Sequence, residues 1–372
     1  MSEDFFPSSA NQWGNCSGYR RMVHNLPKKP ESDDQKVGTA THWVISTALE
    51  DDMEAAQLLG GAAPNGVVID EDIIYCANVM IDDVRSVRDK FMPMLVEQDV
   101  TMPQIAPGCR GKVDCAVWDD ANGRVYVWDY KNGRRSTSPF ENLQLTLYAL
   151  GVMNHFSVTT DVEIVLRIVS PNVYHSTGPV QQWSIKFSAL RYLLDRMREK
   201  TTAAPELTTG TWCRDCPGVG FCSAARKASW NAIDYANHAF EADDMSDEDI
   251  GIEYRLLSQE MKVIEKRLSE LSDQITYRVN HGSKNTGYLL EHGRSKWVWK
   301  GSVDEAIAIA SSFGVEAEKK SVKTVAQVRD AMPAAQRKAF MSVVNNFAEN
   351  KRGGIKLVPA ENTLGAKAFG RK

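Results

Sequence analysis

Asp114, Asp129 and Lys131 are the residues whose types and spacing point to chemistry. Asp114 lies in a run of alternating apolar and polar residues, Val113 to Trp118, and Asp129 and Lys131 sit at the end of a second run, Arg124 to Tyr130. A period of two predicts a strand for each run, and Asp120 to Gly123 supplies the turn, so the pair reads as a hairpin. Side chains two apart on a strand share a face, which sets the Asp129 carboxylate beside the Lys131 ammonium. Two carboxylates and an amine in one pocket suit metal-assisted hydrolysis of a phosphodiester. Carboxylates bind Mg²⁺ or Mn²⁺ and leave positions open for water and phosphate; the ion lowers the pKa of its water, and the amine balances developing negative charge. A D-x-K triplet alone is common, so its surroundings must carry the reading.

Beyond Gly133, from about Pro139, the apolar period becomes helical and puts Gln144 and Tyr148 on one face. The sequence runs G-x-x-D at Gly111 to Asp114, a strand ending D-Y-K-x-G at Asp129 to Gly133, and Q-x-x-x-Y at Gln144 to Tyr148. This order resembles the RecB-like branch of the PD-(D/E)XK nucleases. The resemblance implies an α/β fold with a PD-(D/E)XK restriction-endonuclease-like core, a mixed central sheet flanked by helices. It implies that Asp114 and Asp129 bind Mg²⁺ or Mn²⁺, that Lys131 is catalytic, and that Gln144 and Tyr148 contact the site or the DNA. The stretch Gly38-Thr39-Ala40-Thr41-His42 is similar to the family's G-x-x-x-H motif, which makes His42 a further metal ligand. Without that likeness, a lone helical histidine reads as packed or solvent-facing. Glu97, in the strand-like LVEQDV ahead of the hairpin, is either an additional acid at the metal or a surface glutamate.

Cys213, Cys216 and Cys222 fall as C-x2-C-x5-C within WCRDCPGVGFC. Three thiols this close, interleaved with Pro217, Gly218 and Gly220, signal metal binding but lack a fourth ligand. RecB-like nucleases that carry an iron-sulfur cluster, of the AddB and CRISPR-associated exonuclease kind, take one cysteine before the nuclease motifs and three after. That resemblance makes Cys16 the fourth ligand and a 4Fe-4S cluster the cofactor. Structural Zn²⁺ is the alternative, disfavoured because zinc sites of four thiolates usually use two C-x2-C pairs. Cys76, Cys109 and Cys115 read as small buried hydrophobes, which leaves no candidate cysteine nucleophile. The N-terminal S-S-A-x-x-W-x-x-C stretch and Tyr148-Ala149-Leu150-Gly151 resemble a phage-borne subgroup of these enzymes.

The elements that must position these residues are legible along the chain. Ser8-Ser9-Ala10 predicts the start of a first helix running to Met22, and further helices are expected over Thr39 to Leu58 and Asp70 to Phe91. The sheet is expected from near Leu95, with two more strands at Val162 to Ser170 and Val180 to Ser188 and a helix at Ala189 to Lys200. Arg191, Arg196, Arg198 and Lys200 give that last helix a basic edge, a solvated face or a track for phosphates. The resemblance covers residues 5 to about 235, so the expected division is a nuclease domain at 1–240 and an accessory α+β region at 241–372. In the latter, Tyr254, Leu257, Met261, Ile264, Leu268, Leu271 and Ile275 form a heptad stripe, which either packs on its own domain or joins subunits as a short coiled coil. From Gly282 on there are sixteen Lys or Arg against eight Asp or Glu, +8 in a chain of net charge −4, leaving −12 for the first 281 residues. Lys296, Trp297, Trp299 and Lys300 interleave cations with aromatics, as either a hairpin core or a single-strand guide.

With 372 residues, 43% hydrophobic and 25% charged, the chain has the composition of a globular protein of two or three domains. No apolar run reaches the roughly eighteen residues of a membrane span, and MSEDFFPSS lacks the features of a signal peptide, so a cytoplasmic location is expected. The resemblance implies DNA as partner, single-stranded or at duplex ends, exonuclease action in phage recombination, repair or replication, and a recombination or single-strand annealing protein nearby. The competing classes are a non-catalytic DNA-binding or assembly protein on the same scaffold, and a nuclease active only with its partner.

Overall fold

The two alternating runs are adjacent antiparallel strands in the computed structural model, which describes residues 5–26, 30–237, 245–283 and 286–288. All of them belong to one compact unit, Met1–Leu290. Two short helices, α1 (Ala10–Trp13) and α2 (Tyr19–Val23), precede α3 (Asp33–Glu50) and α4 (Glu71–Val87). Strands β1 (Met94–Thr101), β2 (Arg110–Asp119) and β3 (Arg124–Tyr130) form an antiparallel meander. Helix α5 (Leu143–His155) then crosses over, β4 (Glu163–Val169) pairs parallel to β3, and β5 (Val180–Lys186) returns antiparallel. Helices α6 (Arg191–Thr202), α7 (Ser223–Asn237) and α8 (Asp247–Asn280) follow.

Strand alternation builds a core on each side of this mixed sheet. Val125 and Val127 of β3 pack with Leu145, Leu147 and Val152 of α5 and with Leu193 and Met197 of α6. Tyr126, Trp128 and Tyr130 of the same strand pack with Ala40, Val44 and Ile45 of α3 and with Ile73, Ala77 and Met80 of α4. The result is an α/β sheet covered on both faces, which is why β3 and β4 read as nearly continuous apolar runs. Each such Val or Ile, fully buried, contributes about 1.5–3 kcal/mol.

Some boundaries differ from the sequence expectation for identifiable reasons. The first helix breaks in two, because Gly18 N donates to Glu206 O at 2.8 Å and Ser17 Oγ to Ala204 O at 2.8 Å, pulling the Cys16 turn toward a distant segment. Helix α3 begins earlier than Thr39: Ser32 Oγ accepts from Gln35 N and Gln35 Oε1 accepts from Ser32 N, a capping box ahead of Asp33 and Asp34. It also ends earlier, at Glu50, and Ala55–Leu58 is a separate 3-10 turn. The heptad residues lie on α8, which extends beyond them at both ends. The strand at Lys296 to Trp299, the helices at Val303 to Phe313 and Met332 to Ala348, and the basic tail lie outside the described residues.

Candidate metal-dependent active site

The site forms at the C-terminal end of β3, where the strand leaves its antiparallel neighbour β2 and runs beside parallel β4. Carboxyl ends of strands at such a change of direction are where open α/β sheets bind ligands. Cys115 pairs with Trp128, and carrying that register one residue further puts Asp114 opposite Asp129. Asp114 Oδ2 accepts a hydrogen bond from Tyr130 N at 2.7 Å, which fixes its carboxylate across the strand end. Asp129 is buried, 2% exposed, and Lys131 Nζ meets its Oδ2 at 2.8 Å.

The flanking helices complete the set. From α5, Gln144 Nε2 donates to Asp129 Oδ1 at 2.8 Å while its Oε1 accepts from Lys131 Nζ at 3.2 Å. One amide thus orients both the acid and the amine. Tyr148 lies one turn on and is buried, and its pKa is raised by burial and then by Asp114. From α3, His42 Nδ1 lies 3.2 Å from Glu97 Oε1 and 3.7 Å from Asp114 Oδ1, with its ring edge-on to Tyr130. Gly38 lets α3 come this close, since a Cβ there would lie 3.3 Å from Asn132 Cβ.

Glu97 reaches His42 through a distortion of β1. Its φ is +44°, a left-handed conformation that costs a non-glycine residue about 1–3 kcal/mol and that clusters at functional sites. Val96 and Cys115 pack on the α3 side, whereas Val100 and Val113 pack on the α5 side, although an even spacing keeps residues of a regular strand on one face. Alternation is therefore interrupted at Glu97 and Asp114, and both acids turn toward His42.

Electrostatics follow from crowding three acids, an imidazole and an amine. Burial raises the Asp114 pKa; His42 opposes this and Asp129 adds to it. For His42, burial works against the charged ring, but Asp114 and Glu97 outweigh it and the pKa rises. Burial likewise works against the Lys131 ammonium, and Asp129 overcomes it, so the amine stays charged.

These donors fit a hard divalent cation. One ligand atom each from His42, Glu97 and Asp114 lie within 4.8 Å of one another, close to the span of about 4.2 Å between opposite ligands each about 2.1 Å from an ion. The buried Asp129 Oδ2 atom faces the Lys131 ammonium and is not one of these three ligand atoms. Of the candidate residues, the structure brings His42, Glu97, Asp114, Asp129, Lys131, Gln144 and Tyr148 to one place. Sequence reasoning missed Lys112, whose Nζ lies 4.0 Å from Glu97 Oε2; it falls just ahead of the alternating run at Val113 to Trp118. It also missed Arg135, which forks onto Asp215 with two contacts of 2.7 Å, for which residues eighty apart leave no local signal.

The remaining four candidates gather elsewhere. Cys16, Cys213, Cys216 and Cys222 all line one small cavity with Tyr19, Met22 and Trp212. All seven cysteines are free thiols, and Cys76, Cys109 and Cys115 are buried in or beside the sheet. Burial raises the Cys213 and Cys216 pKa values to about 11 and about 12. Thr208 Oγ1 donates to Asn15 O at 3.0 Å, adding to the bonds at Ser17 and Gly18 that fasten the N-terminus to this segment.

Fold and site together define an α/β protein with a carboxylate-histidine cluster at the end of a central strand. The family model described as "Protein of unknown function (DUF2800)" matches residues 5–363, and the chain belongs to that family. A search of curated proteins finds no match.

Proposed function

We propose that this protein is a metal-dependent DNA nuclease with a PD-(D/E)XK core of the RecB-like type, acting as an exonuclease on DNA ends. The observation that carries the reading is the convergence of Asp114, Asp129, Lys131 and Gln144 on one strand end, with His42 and Glu97 across from them. The order of helix, antiparallel meander, crossover helix and parallel strand supports the fold assignment. That DNA is the phosphodiester rests on the motif resemblance.

In this reading Asp114, Asp129, Glu97 and His42 hold Mg²⁺ or Mn²⁺, which supplies a water of lowered pKa and neutralises charge on phosphate. Asp129 and Gln144 hold the Lys131 ammonium toward the phosphate. In this reading its part is to stabilise negative charge at a non-bridging oxygen. Cys16, Cys213, Cys216 and Cys222 hold a 4Fe-4S cluster whose role is to fasten the two ends of the domain.

Asp129→Ala and Lys131→Ala test the site. Each is expected to lower cleavage of end-labelled DNA in Mg²⁺ or Mn²⁺ by about a hundredfold or more while circular dichroism stays unchanged. Cleavage retained by both variants would remove the assignment. Cleavage by wild type that appears only with a single-strand annealing protein would make the enzyme partner-dependent.

A further inference from the structure

Apolar residues recur along α8 at Ile250, Tyr254, Leu257, Met261, Ile264, Leu268, Leu271 and Ile275, in alternating steps of four and three. A stripe of that period is the seam of a left-handed coiled coil. A helix lying on its own domain ordinarily turns such a stripe inward. Helix α8 does the opposite. The face it sets against the cysteine segment carries Glu260, Val263, Arg267, Glu270 and Gln274, with Val263 and Glu270 buried. Arg267 Nη1 donates to Val219 O at 2.9 Å and to Gly220 O at 3.4 Å. Gly220 permits the approach, because a Cβ there would fall 2.7 Å from both Glu270 Cβ and Gln274 Nε2. About 100° round the helix, most of the stripe is left open: Ile250, Tyr254, Leu257, Met261 and Leu268 are 49% to 67% exposed, while Ile264, Leu271 and Ile275 are half-buried.

We infer that α8 is a dimerisation helix and that its stripe is covered by α8 of a second copy, packed antiparallel. Antiparallel pairing centred between Lys262 and Val263 sets Tyr254 against Leu271, Leu257 against Leu268, Met261 against Ile264 and Ile250 against Ile275 of the second copy. Every layer then joins an a-type to a d-type position, and each contact occurs twice by the two-fold symmetry. The same register brings Glu265 alongside Lys262 of the second copy. Parallel pairing instead stacks Tyr254 on Tyr254 and gives up the contact between Glu265 and Lys262. Gly251, Ser258 and Ser272 on the open flank are small enough for close approach. The exposed stripe residues offer on the order of 600 Å² per copy, which puts the pair at the lower end of what a specific interface buries.

Light scattering on the purified full-length chain tests this. The expected mass is that of two chains, falling to one chain in the variant carrying Leu257→Glu and Leu268→Glu, with circular dichroism unchanged. Cysteines report the direction of pairing even if the charged variant fails to fold. Tyr254→Cys with Leu271→Cys in one chain should cross-link into dimers under mild oxidation, since the two sites lie about 26 Å apart on one helix and cannot pair within it. Tyr254→Cys alone, like the wild type, should not cross-link. A wild-type monomer, as when residues after 288 cover the stripe, would overturn the inference, and so would a dimer indifferent to both glutamates. Cross-linking by Tyr254→Cys alone would overturn the antiparallel arrangement.

Discussion

Gln144 shows how much of the site depends on a residue that carries no charge. Its Nε2 donates to Asp129 and its Oε1 accepts from Lys131, so the amide can sit in only one orientation and holds acid and amine at a fixed separation. Partners of this kind usually matter by one to two orders of magnitude, and Gln144→Ala should lower cleavage by about 10–100-fold. Rates equal to wild type would mean that Asp129 and Lys131 hold themselves in place. A pH dependence follows from the neighbouring groups. Asp114 has a raised pKa, so the folded chain keeps a proton that the unfolded chain gives up, and stability falls as pH rises from about 4 through the folded value. His42 is raised as well; its contribution is complete below about pH 6.5 and is lost as pH rises through its folded value. The two slopes have the same sign. Chelator-treated protein should therefore melt at a lower temperature at pH 8 than at pH 5, and Asp114→Asn should flatten the trend. A melting temperature that climbs over that interval would contradict the charge arrangement described for the site.

At the scale of elements, α3 presents His42 only if its first turns are formed, and those rest on the capping box at Ser32. Ser32→Ala should destabilise the protein by about 1 kcal/mol, read as a lower denaturation midpoint with an unchanged slope. No shift would place the ordering of α3 entirely in its packing against α4. The signal for this start is Ser32 followed by Gln35, a capping-box pair that lies within a polar, proline-containing stretch which by itself reads as a connector. Strand β3 was read to the residue, Arg124 to Tyr130, because alternation, flanking turn residues and burial on both faces all agree there. The left-handed turn at Glu97 was not legible. Nothing in LVEQDV announces a backbone break, which arises where β1 must bring an acid across to a helix on the other face of the sheet.

At the scale of the molecule, the proposed cluster joins two segments almost two hundred residues apart. Cys16, Ser17 and Gly18 already meet the 204–208 segment through hydrogen bonds, so a cluster would lock a contact that the polypeptide makes itself. Anaerobically purified protein should be brown, contain iron and sulfide, and lose both colour and several degrees of melting temperature in Cys16→Ala. A colourless protein with stoichiometric zinc would reverse that assignment. Spacing alone identified Cys213, Cys216 and Cys222 as a group. Which partners meet across the fold was legible only where a motif order supplied it, as for His42; the Arg135 to Asp215 fork between the site loop and the cysteine segment had no such guide. The heptad on α8 was plain in the sequence, but whether it faced inward or outward depended on Arg267 reaching the carbonyls of Val219 and Gly220.

In the proposed site, acids from two adjacent strands grip a divalent cation beside the Lys131 amine. Anomalous diffraction from crystals soaked in Mn²⁺ tests it most directly. A manganese peak is expected within about 2.3 Å of carboxylate oxygens of both Asp114 and Asp129, with His42 or Glu97 completing the shell. A manganese peak bound elsewhere, or none at this strand end at saturating Mn²⁺, would contradict it.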